Sequence, residues 1–144
     1  IDMLEDSQSK YVALEGDRSH RKRLPYIKLI NECYKRNIKV HGFAMTKENV
    51  MSKLPFYSVD STSWKSGEMY GAVPYFNGTK IKNIHVKKLN DAAKAGCRFN
   101  LDLMHHKKMS LQRLYRLTLG INAYNKAQIY YTKLWKKRGI NWKV

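Results

Sequence analysis

One carboxylate of this 144-residue chain stands where an enzyme could use it. Asp60 follows the short apolar run 56–59 and precedes Ser61, Thr62 and Ser63. Such a run is typical of a buried strand, and α/β folds place reactive groups just past the carboxyl ends of their strands. Asp60 is therefore a candidate functional acid at an open site. Asp and Ser are also common turn residues, so the alternative that Asp60 only caps the next turn stays open.

The residues before Asp60 alternate between strand and helix patterns. Residues 11–14 predict a buried strand that ends at Glu15. A helical spacing of apolar residues begins near Leu24 and stops at Asn37, and residues 38–43 predict a second strand.

A short second helix is expected between residues 38–43 and the strand that ends at Asp60. Thr46 is a good N-cap for it, and Pro55 requires that it end by Leu54. The order strand, helix, strand, helix, strand indicates βαβ units and a parallel sheet, so the predicted class is α/β.

The carboxy-terminal part is predicted to be mainly helical. A strand is expected at 72–76, a helix at 86–95 and a short helix or turn at 100–107. A long helix is expected from Ser110, as its N-cap, to Gly139. One face of it is predicted to carry Leu114, Leu117, Ile121, Tyr124, Gln128, Tyr131 and Trp135. We expect this face to be buried, with stacking of its tyrosines on nucleobases as the alternative. We place the division between the two regions at 1–78 and 79–144.

The charge of the chain indicates a polyanionic partner. Lys and Arg number 28 against 11 Asp and Glu, which gives a net charge of +17. Nucleic acid, either DNA or RNA, is the expected partner, whereas no segment combines a large apolar face with a basic one as a membrane-binding helix does. The candidate phosphate contacts are Arg18, Arg21, Lys22, Arg23, Lys107, Lys108, Arg113, Lys136, Lys137 and Arg138.

The cysteines and histidines give no sign of a disulfide or a metal site. Cys33 and Cys97 are isolated from each other in sequence, which favours a reducing, cytoplasmic setting. His105 and His106 are adjacent, so regular structure would point them in different directions. We expect neither a metal nor a cofactor.

Four stretches resemble a known family: 11–16, 39–46, 56–64 with its Val-Asp-Ser-Thr-Ser-Trp sequence, and the tail 132–142. The chain resembles the queuine and archaeosine tRNA-ribosyltransferase superfamily, and more closely its phage-encoded members linked to 7-deazaguanine insertion into DNA. The resemblance implies a (β/α)8 barrel, which needs roughly 200 residues or more. It therefore implies a partial barrel, made of the last strands and a helical carboxy-terminal extension.

The resemblance also implies a chemistry, in which a carboxylate attacks C1′ of a nucleoside and a 7-deazaguanine replaces the departing base. Asp60 matches the nucleophile. The implied substrate-binding residues are Gly16, Glu15, His41, Gly42 and Ser61. Phage membership would place the protein in the host cytoplasm.

Two departures from the family pattern predict that this chain alone does not exchange bases. Glu15 stands where the first Gly of a Gly-Gly pair is usual, and the family's second acid has no matching position here. In the family that acid comes from the amino-terminal half of the barrel. Its strands either were removed, lie on another chain that supplies the missing barrel half, or were lost in a reduced fold. The family's zinc site needs three Cys, and only Cys97 lies beyond Asp60. A non-catalytic nucleic-acid-binding or assembly protein that reuses part of the barrel is the alternative.

Salt titration tests the predicted partner. We expect affinity for duplex DNA, single-stranded DNA or tRNA to fall as salt rises, with a log–log slope of about 0.9 per duplex phosphate neutralised. Fluorescence anisotropy over a salt series measures this slope, and an affinity that does not change with salt would contradict phosphate-driven binding.

Overall fold

The computed structural model of the protein describes residues 9–15, 24–65, 69–88 and 99–143. The chain divides into two compact units. The first consists of Ile1–Ser61 with Lys133–Val144, and the second of Thr62–Thr132. The sequence placed the boundary after residue 78, whereas by packing residues 62–78 group with the second unit and residues 133–144 with the first.

The first unit contains a parallel three-stranded sheet, which confirms the predicted α/β class. Its strands are β1 (Tyr11–Glu15), β2 (Lys39–Phe43) and β3 (Ser58–Val59), in the order β1-β2-β3. Both pairs are parallel. Helix α1 (Leu24–Lys35) precedes β2, and the single-turn helix α2 (Glu48–Met51) precedes β3.

The core of this unit lies on one face of the sheet. Ile30 and Cys33 of α1 are fully buried with Val40 of β2, and Val12 and Leu14 of β1 pack against them. Alternate residues of a strand point to opposite faces, so the intervening residues of β1 lie on the other side.

Strand β1 is not buried as predicted. Tyr11, Ala13 and Glu15 are exposed, and only the two residues between them are half-buried. The continuous apolar run wrongly predicted burial on both faces of the strand. β1 is an edge strand of its sheet, and α1 packs only on the face that carries Val12 and Leu14.

The ends of the first two helices follow the sequence only in part. Asn37 adopts a left-handed conformation with φ 57° and ends the α1 segment, as predicted. Thr46 is not the N-cap of α2. Lys47 occupies that position without a side-chain hydrogen bond, so the four-residue helix begins one residue later than expected.

The end of the chain holds the segment that leads to Asp60. The Trp135 indole N–H donates to the Met51 carbonyl at 2.8 Å, and that of Trp142 donates to the Pro55 carbonyl at 3.1 Å. Trp142 also meets the Tyr34 ring edge-on at 4.9 Å. These contacts hold the end of α2 and the segment before β3 in place.

The second unit combines a two-stranded antiparallel sheet with helices. The predicted strand β4 (Ala72–Phe76) is confirmed, and it pairs with β5 (Ile81–His85), which the sequence did not predict. A 3-10 turn occupies Val86–Lys88, and the rest of the helix predicted at 86–95 lies outside the described residues. Helices α3 (Leu101–Met104) and α4 (Met109–Lys137) follow.

The long helix α4 is confirmed, but its buried face is rotated from the predicted one. Tyr131 is buried as predicted, but its buried neighbours are Gly120, Ala123 and Ala127, whereas Leu114 and Ile121 are exposed. Small side chains let a helix approach its neighbours closely, and a Cβ at position 120 would collide with the Trp64 backbone.

Ser110 lies inside α4 and is not its N-cap, since the helix begins at Met109. Gly139, with φ 85°, ends it as predicted. Within the described residues, no helix combines the length and apolar character needed to cross a membrane.

The buried thiol of Cys33 gives a test of this core. Burial raises the pKa of Cys33 above its ordinary value of 9.0, against a smaller lowering by Arg36. In a Cys97→Ser variant we expect iodoacetamide at pH 8 to alkylate Cys33 at least about tenfold more slowly in the folded protein than in urea.

The same shift predicts how stability depends on pH. A thiol whose pKa is raised by folding stabilises the protein below its unfolded pKa, and this contribution is lost as pH rises through the folded pKa. The free energy of unfolding should therefore fall more steeply above pH 9 in the wild type than in Cys33→Ala. Equal slopes, together with equal alkylation rates, would contradict a buried thiol.

Candidate functional site

The carboxyl ends of the three parallel strands meet at one edge of the sheet in the first unit. Glu15, the last residue of β1, lies opposite Phe43, the last residue of β2. Asp60 directly follows β3, and its backbone N–H donates to the Gly42 carbonyl at 3.3 Å. This edge is where parallel α/β sheets place their ligands.

Asp60 presents its carboxylate to solvent and is held by the loop after β2. Its side chain is 56% exposed. The Ala44 backbone N–H donates to Oδ1 at 2.8 Å, and Ala44 itself adopts a left-handed φ of 54°. The partner of the carboxylate therefore precedes Asp60 by sixteen residues and is not the turn that follows it. Oδ1 is thus held by the Ala44 N–H, and among the described residues no hydrogen bond is made to Oδ2.

A chain of hydrogen bonds crosses the sheet beside Asp60. Tyr11 on β1 and Ser58 on β3 share a hydrogen bond of 2.9 Å between their hydroxyls. His41 on β2 places Nδ1 2.8 Å from the same Ser58 Oγ and Nε2 3.9 Å from Asp60 Oδ1. The His41 side chain is only 16% exposed, so Ser58 supplies a partner that a half-buried ring needs.

Aromatic contacts fix the rings of this face. The Tyr11 ring stacks on His41 at 6.3 Å between centroids, and the Phe43 ring meets His41 edge-on at 4.8 Å. Lys39 places its ammonium 4.7 Å from the centroid of the Tyr57 ring. The face opposite the core thus carries aromatic, hydroxyl, imidazole and ammonium groups together.

The predicted substrate-binding residues are distributed unevenly over this site. Glu15 and His41 lie on the same face as the Asp60 carboxylate, and Ser61 is half-buried next to it. Gly42 is turned the other way, since a Cβ there would lie 3.1 Å from the Phe56 ring and from the Met45 Cβ. Packing explains the absence of a side chain at Gly42. Gly16 lies outside the described residues.

The candidate phosphate contacts fall in both units. Lys107, Lys108 and Arg113 are exposed in the second unit, and Lys136 and Lys137 are exposed at the end of α4. Arg138 donates to the Ser52 carbonyl at 2.6 Å and lies 4.9 Å from the Trp135 ring centroid, so it also has a structural role. The predicted contacts outside the described residues are Arg18, Arg21, Lys22 and Arg23.

Three residues of the site were not predicted: Tyr11, Phe43 and Ser58. The two-residue alternation of β1 and β2 was the signal that could have found the first two, since it places Tyr11, Glu15, His41 and Phe43 on one face. In the described part of the chain, no group of three or more His, Cys, Asp or Glu could hold a metal ion.

A double-mutant cycle tests the hydrogen-bond chain. Ser58→Ala removes the shared partner of Tyr11 and His41, so we expect a loss of about 1 to 2 kcal/mol in the free energy of unfolding, measured in urea. Tyr11→Phe should cost about 1 kcal/mol in the wild type and close to nothing in Ser58→Ala. Additive losses would show that the two hydroxyls are not coupled.

Comparisons of the chain with protein-family models, with curated proteins and with solved structures found no match. The resemblance to the tRNA-ribosyltransferase superfamily therefore stays a prediction, and the function is argued from the geometry of the site.

Proposed function

We propose that the chain is part of a nucleic-acid base transglycosylase that exchanges guanine for a 7-deazaguanine, with Asp60 as the nucleophile. The observation that carries this proposal is the Asp60 carboxylate. It lies just beyond the carboxyl end of a parallel strand, 56% exposed, with Oδ1 held by the Ala44 N–H.

The chemistry suits a carboxylate in this setting. Oδ2 of Asp60 attacks C1′ of the target nucleoside and the N9–C1′ bond breaks. The product is a glycosyl ester of Asp60, bonded to C1′ through Oδ2. Attack of the incoming base on C1′ then releases the carboxylate. A carboxylate serves because it is both a competent nucleophile and a good leaving group, and the Ala44 N–H keeps it oriented through both steps.

The sheet supports a partial (β/α)8 barrel of the queuine tRNA-ribosyltransferase type. Barrel helices cover the outer face of the strands, and the reactive groups lie at their carboxyl ends. In the first unit α1 packs on the face carrying Val12 and Val40, and the polar side chains of His41 and Ser58 occupy the opposite face. On this proposal, that polar face lines the interior of the barrel.

A non-catalytic nucleic-acid-binding or assembly protein is the second candidate, and the charge of the second unit favours it. In Thr62–Thr132, Lys and Arg outnumber Asp and Glu by twelve to three. Among the described residues, Lys107, Lys108 and Arg113 form no salt bridge. Unpaired surface cations of this kind are available to phosphates whether or not Asp60 is reactive.

An oligonucleotide containing 7-methylguanine tests the nucleophile alone. Its purine already carries a positive charge and departs without an added proton, so no second acid is required. We expect the full chain to release 7-methylguanine above the uncatalysed rate, and to form an oligonucleotide adduct seen by intact-mass spectrometry. Asp60→Asn should reduce both at least about 100-fold.

The control for this experiment is Asp102→Asn, which removes an exposed carboxylate from the second unit and should leave both signals unchanged. DNA and RNA oligonucleotides are tested in parallel. Equal release by the wild type and Asp60→Asn would remove Asp60 from the mechanism. Salt-dependent binding without release would favour the binding protein.

A further inference from the structure

Three exposed side chains form a row across the carboxyl edge of the sheet in the first unit. Glu15 lies directly opposite Phe43 in the β1–β2 register. Asp60 lies on the other side of Phe43, since its N–H bonds to the Gly42 carbonyl and its Oδ1 accepts the Ala44 N–H. All three members of the row are exposed. Their order is carboxylate, aromatic ring, carboxylate.

The row lies on the face of the sheet opposite the core. Val12 and Leu14 pack against the core, so the two-residue period of β1 places Tyr11 and Glu15 on the other face. The stacking of Tyr11 on His41 identifies this as the face of His41, and therefore of Phe43 two residues later. Asp60 reaches the same face, with Oδ1 3.9 Å from His41 Nε2.

The spacing of the strands that carry Glu15 and Asp60 leaves room for a nucleoside between the two residues. Neighbouring strands lie about 4.8 Å apart, so the backbones of Glu15 and Asp60 are separated by about 10 Å across Phe43. Glycosidases place two carboxyl groups about 5 to 9.5 Å apart on either side of the bond they break. In a purine the atom protonated on departure is N7, two bonds from the glycosidic N9, so the acid is required on the far side of the base from C1′.

Phe43 provides the surface on which such a purine would lie. Its side chain is 47% exposed, and its contact with His41 at 4.8 Å holds the ring edge-on to the imidazole. Exposed aromatic rings can stack on any nucleobase, because every base has a π-face. A base stacked there has Asp60 on the side of one neighbouring strand and Glu15 on the side of the other.

From this geometry we infer that Glu15 is the general acid/base of the site, a role that rests on the proposed function of Asp60. In the first step an Asp60 oxygen bonds to C1′, the N9–C1′ bond breaks, and the Glu15 carboxylic acid gives its proton to N7 of the departing guanine. In the second step the Glu15 carboxylate takes the N9 proton of the incoming base, N9 bonds to C1′, and the ester to Asp60 breaks. Protons and bonds balance over the cycle.

This assignment changes the meaning of Glu15. Compared with the family pattern it is a bulky acid in place of a small residue. Across the sheet it is the second carboxylate that a base exchange requires, carried by the same chain as Asp60. The chain then needs no acid from a partner for the chemical steps.

A comparison of two substrates tests Glu15 separately from Asp60. The full chain and its Glu15→Gln variant are incubated with oligonucleotides that contain either guanine or 7-methylguanine, and the released base is measured. We expect Glu15→Gln to lower guanine release and exchange of labelled guanine at least about 100-fold, because guanine needs a proton to leave. Release of 7-methylguanine should change less than about threefold, which also shows that the variant is folded.

Glu48→Gln, at another exposed carboxylate of the same unit, is the matched control and should not change either rate. Guanine release that is equal in Glu15→Gln and the wild type overturns the role of Glu15. So does a wild type that releases 7-methylguanine but no guanine, and in both cases the proposal for Asp60 stands. Failure of the wild type to release either base contradicts both.

Discussion

The parallel pairing of β2 with both of its neighbours is the constraint on which the candidate site depends. Parallel strands end at the same edge of a sheet, so this pairing brings together Glu15, Phe43 and Asp60 from three separate segments. The backbone bond from Asp60 to the Gly42 carbonyl extends the pairing by one residue beyond β3. A slip of one residue in either pair would turn alternate side chains to the opposite face and disperse the group.

The two faces of this sheet carry different kinds of side chain. One face carries the apolar core around Ile30 and Val40, which holds α1 against the strands. The other carries Tyr11, His41 and Ser58, whose hydrogen bonds run from one strand to the next. Burying polar groups is costly unless they are paired, so this network lets a half-buried imidazole sit 3.9 Å from a carboxylate.

The basic charge of the protein and the carboxylates of its candidate site are distributed differently over the chain. The candidate site lies in the first unit, whereas the surplus of basic residues is spread over both. Electrostatic attraction to phosphates acts without sequence preference, and it serves a base-exchange enzyme and a binding protein equally. Only the reactivity of the carboxylates at the sheet edge separates the two functions.

The sequence alone determined the α/β class, the parallel order of the first three strands, the long helix α4 and the position of Asp60 after a strand, because these follow from local periodicity and end signals. The tertiary structure decided what surrounds each residue. It showed that β1 is an edge strand, that small residues form the buried face of α4, and that the Asp60 carboxylate is held by Ala44. These depend on pairing and packing between segments far apart in the chain, which no local pattern encodes.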